Sequence, residues 1–157
     1  NNKMKKLKTL IIVFVFTTFL GSAQNSYIEW NIGVANINEA FGEDFWAPGT
    51  SVLIGKRFDL SENLILDAEI GLAAPSILTA KIGLGTYFNK ETKSAVVFGI
   101  RPWPLHGYVQ MNLPQGKKGQ WIISGEISDG SGVSFYSSHM FTIGYRWKLN
   151  LKKNKTK

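Results

Sequence analysis

Between residues 26 and 150, apolar side chains recur at every second position, segment after segment. Leu64, Leu66, Ala68, Ile70 and Leu72 alternate with Ile65, Asp67, Glu69 and Gly71. Leu78, Ala80, Ile82 and Leu84 alternate with Thr79, Lys81, Gly83 and Gly85. Successive side chains of an extended strand point to opposite faces, so this period makes one apolar face and one polar face. The same pattern sets Ile28, Trp30, Ile32 and Val34 against Glu29, Asn31 and Gly33, and Trp121, Ile123 and Ile127 against Ser124 and Glu126. It predicts eight strands, near residues 26–36, 49–58, 63–74, 77–88, 94–102, 106–113, 120–128 and 138–150. Pro102, Trp103 and Pro104 break the pattern between the fifth and sixth. After residue 24 no stretch holds a helical period over three turns.

Alternation alone does not say which face is enclosed, but the content of the polar face does. It carries Gly33, Gly55, Gly71, Gly83, Gly85, Gly99 and Gly144. Glycine weakens a strand exposed to water, whereas the interior of an eight-stranded barrel has room only for packed side chains. The same face carries four acids, Glu29, Asp67, Glu69 and Glu126, and four bases, Arg57, Lys81, Arg101 and Arg146. Enclosed charges need partners, and a balanced set provides them. Lys81 is expected to pair with Asp67 or Glu69 on the neighbouring strand. The expected fold is therefore all-β: an eight-stranded antiparallel up-and-down transmembrane β-barrel with its apolar face in lipid. Trp30, Phe58, Phe88, Trp121 and Tyr145, with Trp147, lie on the apolar face as an interfacial aromatic girdle. The short polar connections "DLSEN", "NKETK" and "PQGKKGQ" share one end, and the longer loops 36–48 and 129–137 share the other. The two remaining connections at the long-loop end, around Ala74–Ser76 and Pro102–Leu105, are short.

The amino end carries a different signal. Met4-Lys5-Lys6-Leu7-Lys8 precedes an apolar run from Leu10 to Leu20, and Gly21-Ser22-Ala23 follows it. Basic, apolar and small segments in that order predict a secretory signal peptide, helical in its apolar part and cleaved after Ala23. A membrane-spanning helix needs about 20 apolar residues, more than this run supplies. The expected organisation is a signal peptide over 1–23, the barrel over 24–150 and a basic tail over 151–157. The net charge of +7 follows from the two ends. Removing Lys3, Lys5, Lys6, Lys8, Lys152, Lys153, Lys155 and Lys157 leaves 18 − 8 = 10 basic residues against 11 acidic ones. The middle is near neutral, which argues against nucleic acid as a partner. There is no cysteine, hence no disulfide framework, thiolate metal site or lipoprotein attachment point.

The last strand, "FTIGYRWKLN", resembles the C-terminal assembly signal of bacterial outer-membrane proteins, reading Thr142-x-Gly144-x-x-Trp147-x-Leu149. With the leader and eight strands, residues 25 to 150 resemble the small outer-membrane barrel families, such as the OmpA membrane domain and OmpX-like proteins. That resemblance implies the outer membrane of a Gram-negative bacterium, contact with lipid and lipopolysaccharide, and folding by the outer-membrane assembly machinery. Members of these families often end on the terminal aromatic, whereas "LKKNKTK" continues here.

Function has to come from sites, since the fold hosts many roles. A side-chain-filled interior predicts a structural or surface-contact protein, not an open pore and not an enzyme, with no cofactor or metal. Glu39, Glu43 and Asp44 beside Phe41, Phe45 and Trp46 offer oxygen ligands of the kind calcium takes, but their spacing matches no calcium loop. The alternative is a lipid-modifying enzyme that transfers or removes acyl chains. Its only raw material is His106 and the run Ser137-Ser138-His139, where alternation places Ser137 and His139 on one face. A third class, a soluble lipocalin-like binder of apolar ligands, requires the apolar face inside. The sequence names no ligand and sets no oligomeric state.

Overall fold

A computed structural model describes residues 25–37, 45–74, 76–103, 105–116, 118–128 and 137–149. The expected leader, the acids Glu39, Glu43 and Asp44 with Phe41, and residues 150–157 lie outside the described residues. Eight strands run in chain order: β1 Ser26–Ile37, β2 Phe45–Asp59, β3 Leu64–Ala74, β4 Ile77–Asn89, β5 Ser94–Trp103, β6 Leu105–Gln115, β7 Gly119–Ile127 and β8 Ser137–Lys148. Each pairs antiparallel with the next, and β8 pairs with β1, closing the barrel.

The register fixes the barrel's dimensions. A walk across the ladders from Ser26 passes Lys56, Ala68, Ile82, Ile100, Gly107, Ile127 and His139 and returns to β1 at Asn36. The offset is 36 − 26 = 10 residues. With a rise of about 3.3 Å per residue and strands about 4.8 Å apart, an offset of that size over eight strands tilts them by ~40° and gives a backbone radius of ~8 Å. Such a barrel holds side chains and little else.

The faces divide as the alternation requires. Glu29, Asp67 and Arg146 are fully enclosed at 0% exposure, while Leu72, Leu78, Phe98 and Ile127 on the outside are more than half exposed. Part of the interior is apolar: Ile65, Ala95, Val97 and Tyr108 pack as one cluster with Tyr87 against it. Interior glycines make space for large neighbours. Tyr27 lies over Gly55, its partner across β1–β2, and Tyr108 lies over Gly99 and Gly83. A methyl group at any of these three would run into the ring.

Two departures from strict alternation have local causes. β2 begins at Phe45, four residues before the predicted start, and residues 45–49 pair with β1 but not with β3. Pro48 hides this extension from the sequence, yet it is tolerated because one side of β2 has no ladder there to receive an N–H. In β8 the register with β1 slips between Asn36–His139 and Ile37–Ser137. Ser138 is thus an extra residue that turns Ser137 inward, where it is buried, and leaves His139 exposed. The expected sharing of one face by Ser137 and His139 is therefore corrected.

The turns at the short-loop end are tight and self-bonded. Leu60 and Ser61 donate to the Leu64 carbonyl at 2.8 and 3.2 Å, and the Asn89 side chain accepts from the Thr92 amide at 3.1 Å.

Candidate functional site

The eight charged residues singled out above meet inside the barrel, in two groups. Arg146 on β8 is the centre of the first. Its Nε donates to Glu29 Oε2 at 2.7 Å, Nη1 to Asp67 Oδ2 at 3.1 Å and Nη2 to Glu69 Oε1 at 2.5 Å. Its guanidinium lies 3.7 Å from the Tyr27 ring centre, and the Tyr27 hydroxyl donates to Glu69 Oε1 at 3.0 Å. Arg57 grips Asp67 with both Nε (2.9 Å) and Nη2 (2.6 Å). Two-point contacts of this kind are strong and directional.

The second group centres on Glu126 of β7. Arg101 binds it through Nε and Nη2, both at 2.6 Å, and donates to Thr79 through Nη1. Lys81 adds its ammonium at 3.0 Å from Glu126 Oε1 and 5.1 Å from the Tyr108 ring centre. This corrects the expected pairing with Asp67 or Glu69: Lys81 faces Glu69 in register but reaches across the lumen instead. The first group carries three acids and two bases, the second one acid and two bases. Their charges of −1 and +1 cancel only when both share one enclosure.

Asn31 extends the first group towards the long-loop end, donating to Glu29 Oε1 at 2.9 Å. On that side lies a hollow of about 80 Å³, walled by small residues such as Gly33, Ala35, Ala47 and Ala73. On the other side, below Arg146, lies a bowl of about 250 Å³ at the short-turn mouth. Glu29, held by Arg146 on one side and Asn31 on the other, separates the two. Asn31 Oδ1, Glu69 Oε2, Gln110 Oε1, Asn112 Nδ2, Ser124 Oγ and Thr142 Oγ1 are buried without a protein partner among the described residues; internal water is what satisfies such atoms.

His106 and Ser137, which sequence spacing does not connect, are brought together by the β8 bulge. His106 Nε2 lies 2.8 Å from the Ser137 carbonyl oxygen and 2.9 Å from Ser137 Oγ. A nitrogen that close to a carbonyl oxygen carries the proton and donates it. The same nitrogen is then no base for the hydroxyl, and the contact works as a tie between β6 and β8. His139, exposed, bonds Ser138 Oγ at 2.9 Å. Among the described residues no group of His, Asp and Glu has the arrangement of a metal site.

Thr142 and Gly144 of the last strand face Gly33 and Asn31 on β1, and Trp147 faces Ile28. Leu149 follows the end of β8 and donates its amide to the Ser26 carbonyl at 2.8 Å. Trp121, Tyr145 and Trp147 form an edge-to-face cluster with ring centres 5.2 and 5.0 Å apart. Phe88 is exposed near the same end, and Phe58 has the Lys56 ammonium 5.1 Å from its ring centre. Trp30, opposite Tyr145, sits further in and donates Nε1 to Thr50 Oγ1 at 3.0 Å. No protein-family model, curated protein or solved structure matches this chain.

Proposed function

We propose that the chain is an integral β-barrel of a bacterial outer membrane, exported by its leader and serving a structural or surface-contact role. One observation carries this reading: the closed barrel is apolar outside and ionic inside. A water-soluble protein rarely exposes more than a few hundred Å² of continuous apolar surface, yet here Ile54, Ile70, Leu72, Leu78, Leu84, Phe98 and Ile100 all point outwards and are more than half exposed. Strands of 9 to 15 residues are long enough to cross, since a tilted spanning strand needs about 9–11. Closure leaves no open edge in lipid. Exposed Phe88, Trp121 and Trp147 at the short-turn end, and Phe45, Trp46 and Trp103 at the other, suit the two interfaces of a bilayer. Lipid, lipopolysaccharide and the assembly machinery are the partners this reading implies.

The ion-pair layer around Glu29 and Arg146 supports a sealed barrel over a pore. A lipocalin-like role needs the apolar face inside, which is the reverse of this arrangement. The lipid-modifying alternative has His106 and Ser137 as its raw material, and the proton on Nε2 speaks against it. Two measurements test the proposal. Refolded protein run on dodecyl sulfate gels should migrate as a compact form unheated and more slowly after boiling, and membranes from expressing cells should retain it through a carbonate wash. Identical mobility, or release by carbonate, would sink the membrane reading. Release of fatty acid from lipopolysaccharide by the purified barrel would revive the enzyme.

A further inference from the structure

The bowl at the short-turn mouth is lined by an excess of hydrogen-bond donors. Lys93 and Lys148 stand on its wall, and neither makes an ion pair among the described residues. Lys148 feels both Lys93 and Arg57 as like charges. Arg57, also on the wall, spends Nε and Nη2 on Asp67, and its guanidinium lies beside the Tyr87 hydroxyl. Gln120 also lines the bowl, is only 3% exposed, and its amide has no side-chain partner among the described residues. The one acid on the wall among the described residues, Asp59, already accepts from the Tyr87 hydroxyl at 2.9 Å.

Lys93 adds an independent observation. Its backbone is left-handed, with φ of 60°, a conformation that suits glycine or asparagine better than lysine. Turn geometry alone favours Gly here. Ile77 takes the same backbone in the β3–β4 turn, with φ of 64°, so the conformation belongs to the tight turns of this barrel; at Lys93 it sets an ammonium at the edge of the cavity.

We infer that this bowl binds a phosphate-type oxyanion. Two ammonium groups and a carboxamide, with the Arg57 guanidinium beside them, line a space of about 250 Å³, several times the ~30 Å³ share of one water. A tetrahedral oxyanion accepts from the two ammonium groups and the carboxamide and relieves the repulsion among the three cations. The oxyanion is either free phosphate or the phosphate of a lipid headgroup at the adjacent interface. Binding of free phosphate needs only the folded barrel; the headgroup source rests on the membrane reading.

The barrel refolded in maltoside micelles, which carry no phosphate, is titrated with inorganic phosphate while the Lys93, Lys148 and Gln120 resonances are followed. Saturable shifts at these residues are expected. Lys148→Gln should weaken binding about three- to fivefold, the usual size for an exposed charged contact. Lys118→Gln, which removes the same charge outside the bowl, should leave binding unchanged. Lys93→Gly should weaken binding while raising the unfolding midpoint, because it removes a donor and relieves the backbone. In nanodiscs without added phosphate, bowl shifts with phosphatidylglycerol, together with loss of phosphate binding, identify the headgroup. Undiminished phosphate binding identifies the free ion. Failure to enter nanodiscs counts against the membrane reading alone. Absence of saturable shifts in micelles, or equal weakening by Lys118→Gln and Lys148→Gln, overturns the site.

Discussion

Lys81 stands directly opposite Glu69 on the β3–β4 ladder, yet its ammonium bonds Glu126 on β7, 3.0 Å away and three strands further round the barrel. The contact crosses the lumen, so it exists only in the closed barrel. Lys81→Met should therefore destabilise by roughly 1–3 kcal/mol, since Glu126 keeps Arg101 as a partner. Glu126→Gln should cost more, about 3–5 kcal/mol, because it strands two buried cations. Denaturant unfolding in micelles measures both. The double variant should recover part of the sum, whereas Lys81→Met combined with Glu69→Gln should show the smaller coupling. A larger coupling to Glu69 would mean that the lysine belongs to its own hairpin after all.

Which side chains are enclosed was legible in the sequence: a period of two needs no knowledge of neighbours and puts Glu29, Asp67 and Arg146 on the polar faces of their strands, and the glycines and balanced charges of those faces mark them as the inner ones. Which of them touch was not. Lys81 meets Glu126 through closure and the ten-residue offset, and neither is written in any one segment. The β8 bulge was equally hidden, since one extra residue at Ser138 leaves no mark in composition but reverses the facing of Ser137. Tyr27, Thr79 and Asn31, which complete the network, do lie on the polar face of their strands, and their position among the charges was the signal available. The donor-lined bowl draws on Arg57, Lys93, Gln120 and Lys148 from four separate segments, so only the fold assembles it.

Arg146 satisfies three carboxylates at once and stacks on Tyr27. Arg146→Met should leave Glu29 and Glu69 without a cation and prevent recovery of the compact form on unheated gels, since an unpaired buried charge costs about 3–5 kcal/mol. Arg146→Lys keeps the charge but lacks the planar fork, so it should fold with a loss of roughly 1–3 kcal/mol. Full stability for Arg146→Lys would show that charge alone, not geometry, holds the layer.

Gly55 and Tyr27 make a size pair. A methyl group at Gly55 meets the Tyr27 ring, so Gly55→Ala should cost about 1–3 kcal/mol through overpacking. Combining it with Tyr27→Leu should relieve that clash, although the hydroxyl contact to Glu69 is then lost. Gly125, with open space around its Cα, should accept alanine with little change. Equal effects of alanine at both positions would show that backbone freedom, not space, explains the interior glycines.

The proposed assembly signal can be separated from the residues that follow it. Trp147→Ser with Leu149→Ser removes an aromatic anchor and the apolar end of the pattern, and should lower the amount of protein recovered in outer membranes and raise its degradation. Deleting Lys152 to Lys157 should change little, because β8 ends at Lys148 and, among the described residues, the last contact with β1 is made by Leu149. Loss of assembly on deleting the tail, with the double substitution tolerated, would move the signal beyond the barrel.

Ile82 and Lys81 are neighbours in sequence with opposite surroundings, 44% and 2% exposed. If the outer surface meets lipid, Ile82→Arg places a cation in hydrocarbon and should destabilise by roughly 2–4 kcal/mol near the midplane. Ile82→Ala brings no charge and should be much milder. On a surface that meets water, the same arginine would be hydrated and nearly neutral in effect. Unfolding of the two variants in phosphatidylcholine bilayers, compared with the parent, distinguishes these outcomes. An arginine tolerated at Ile82, and at Phe98 on the next strand, would mean that the apolar exterior faces something other than lipid.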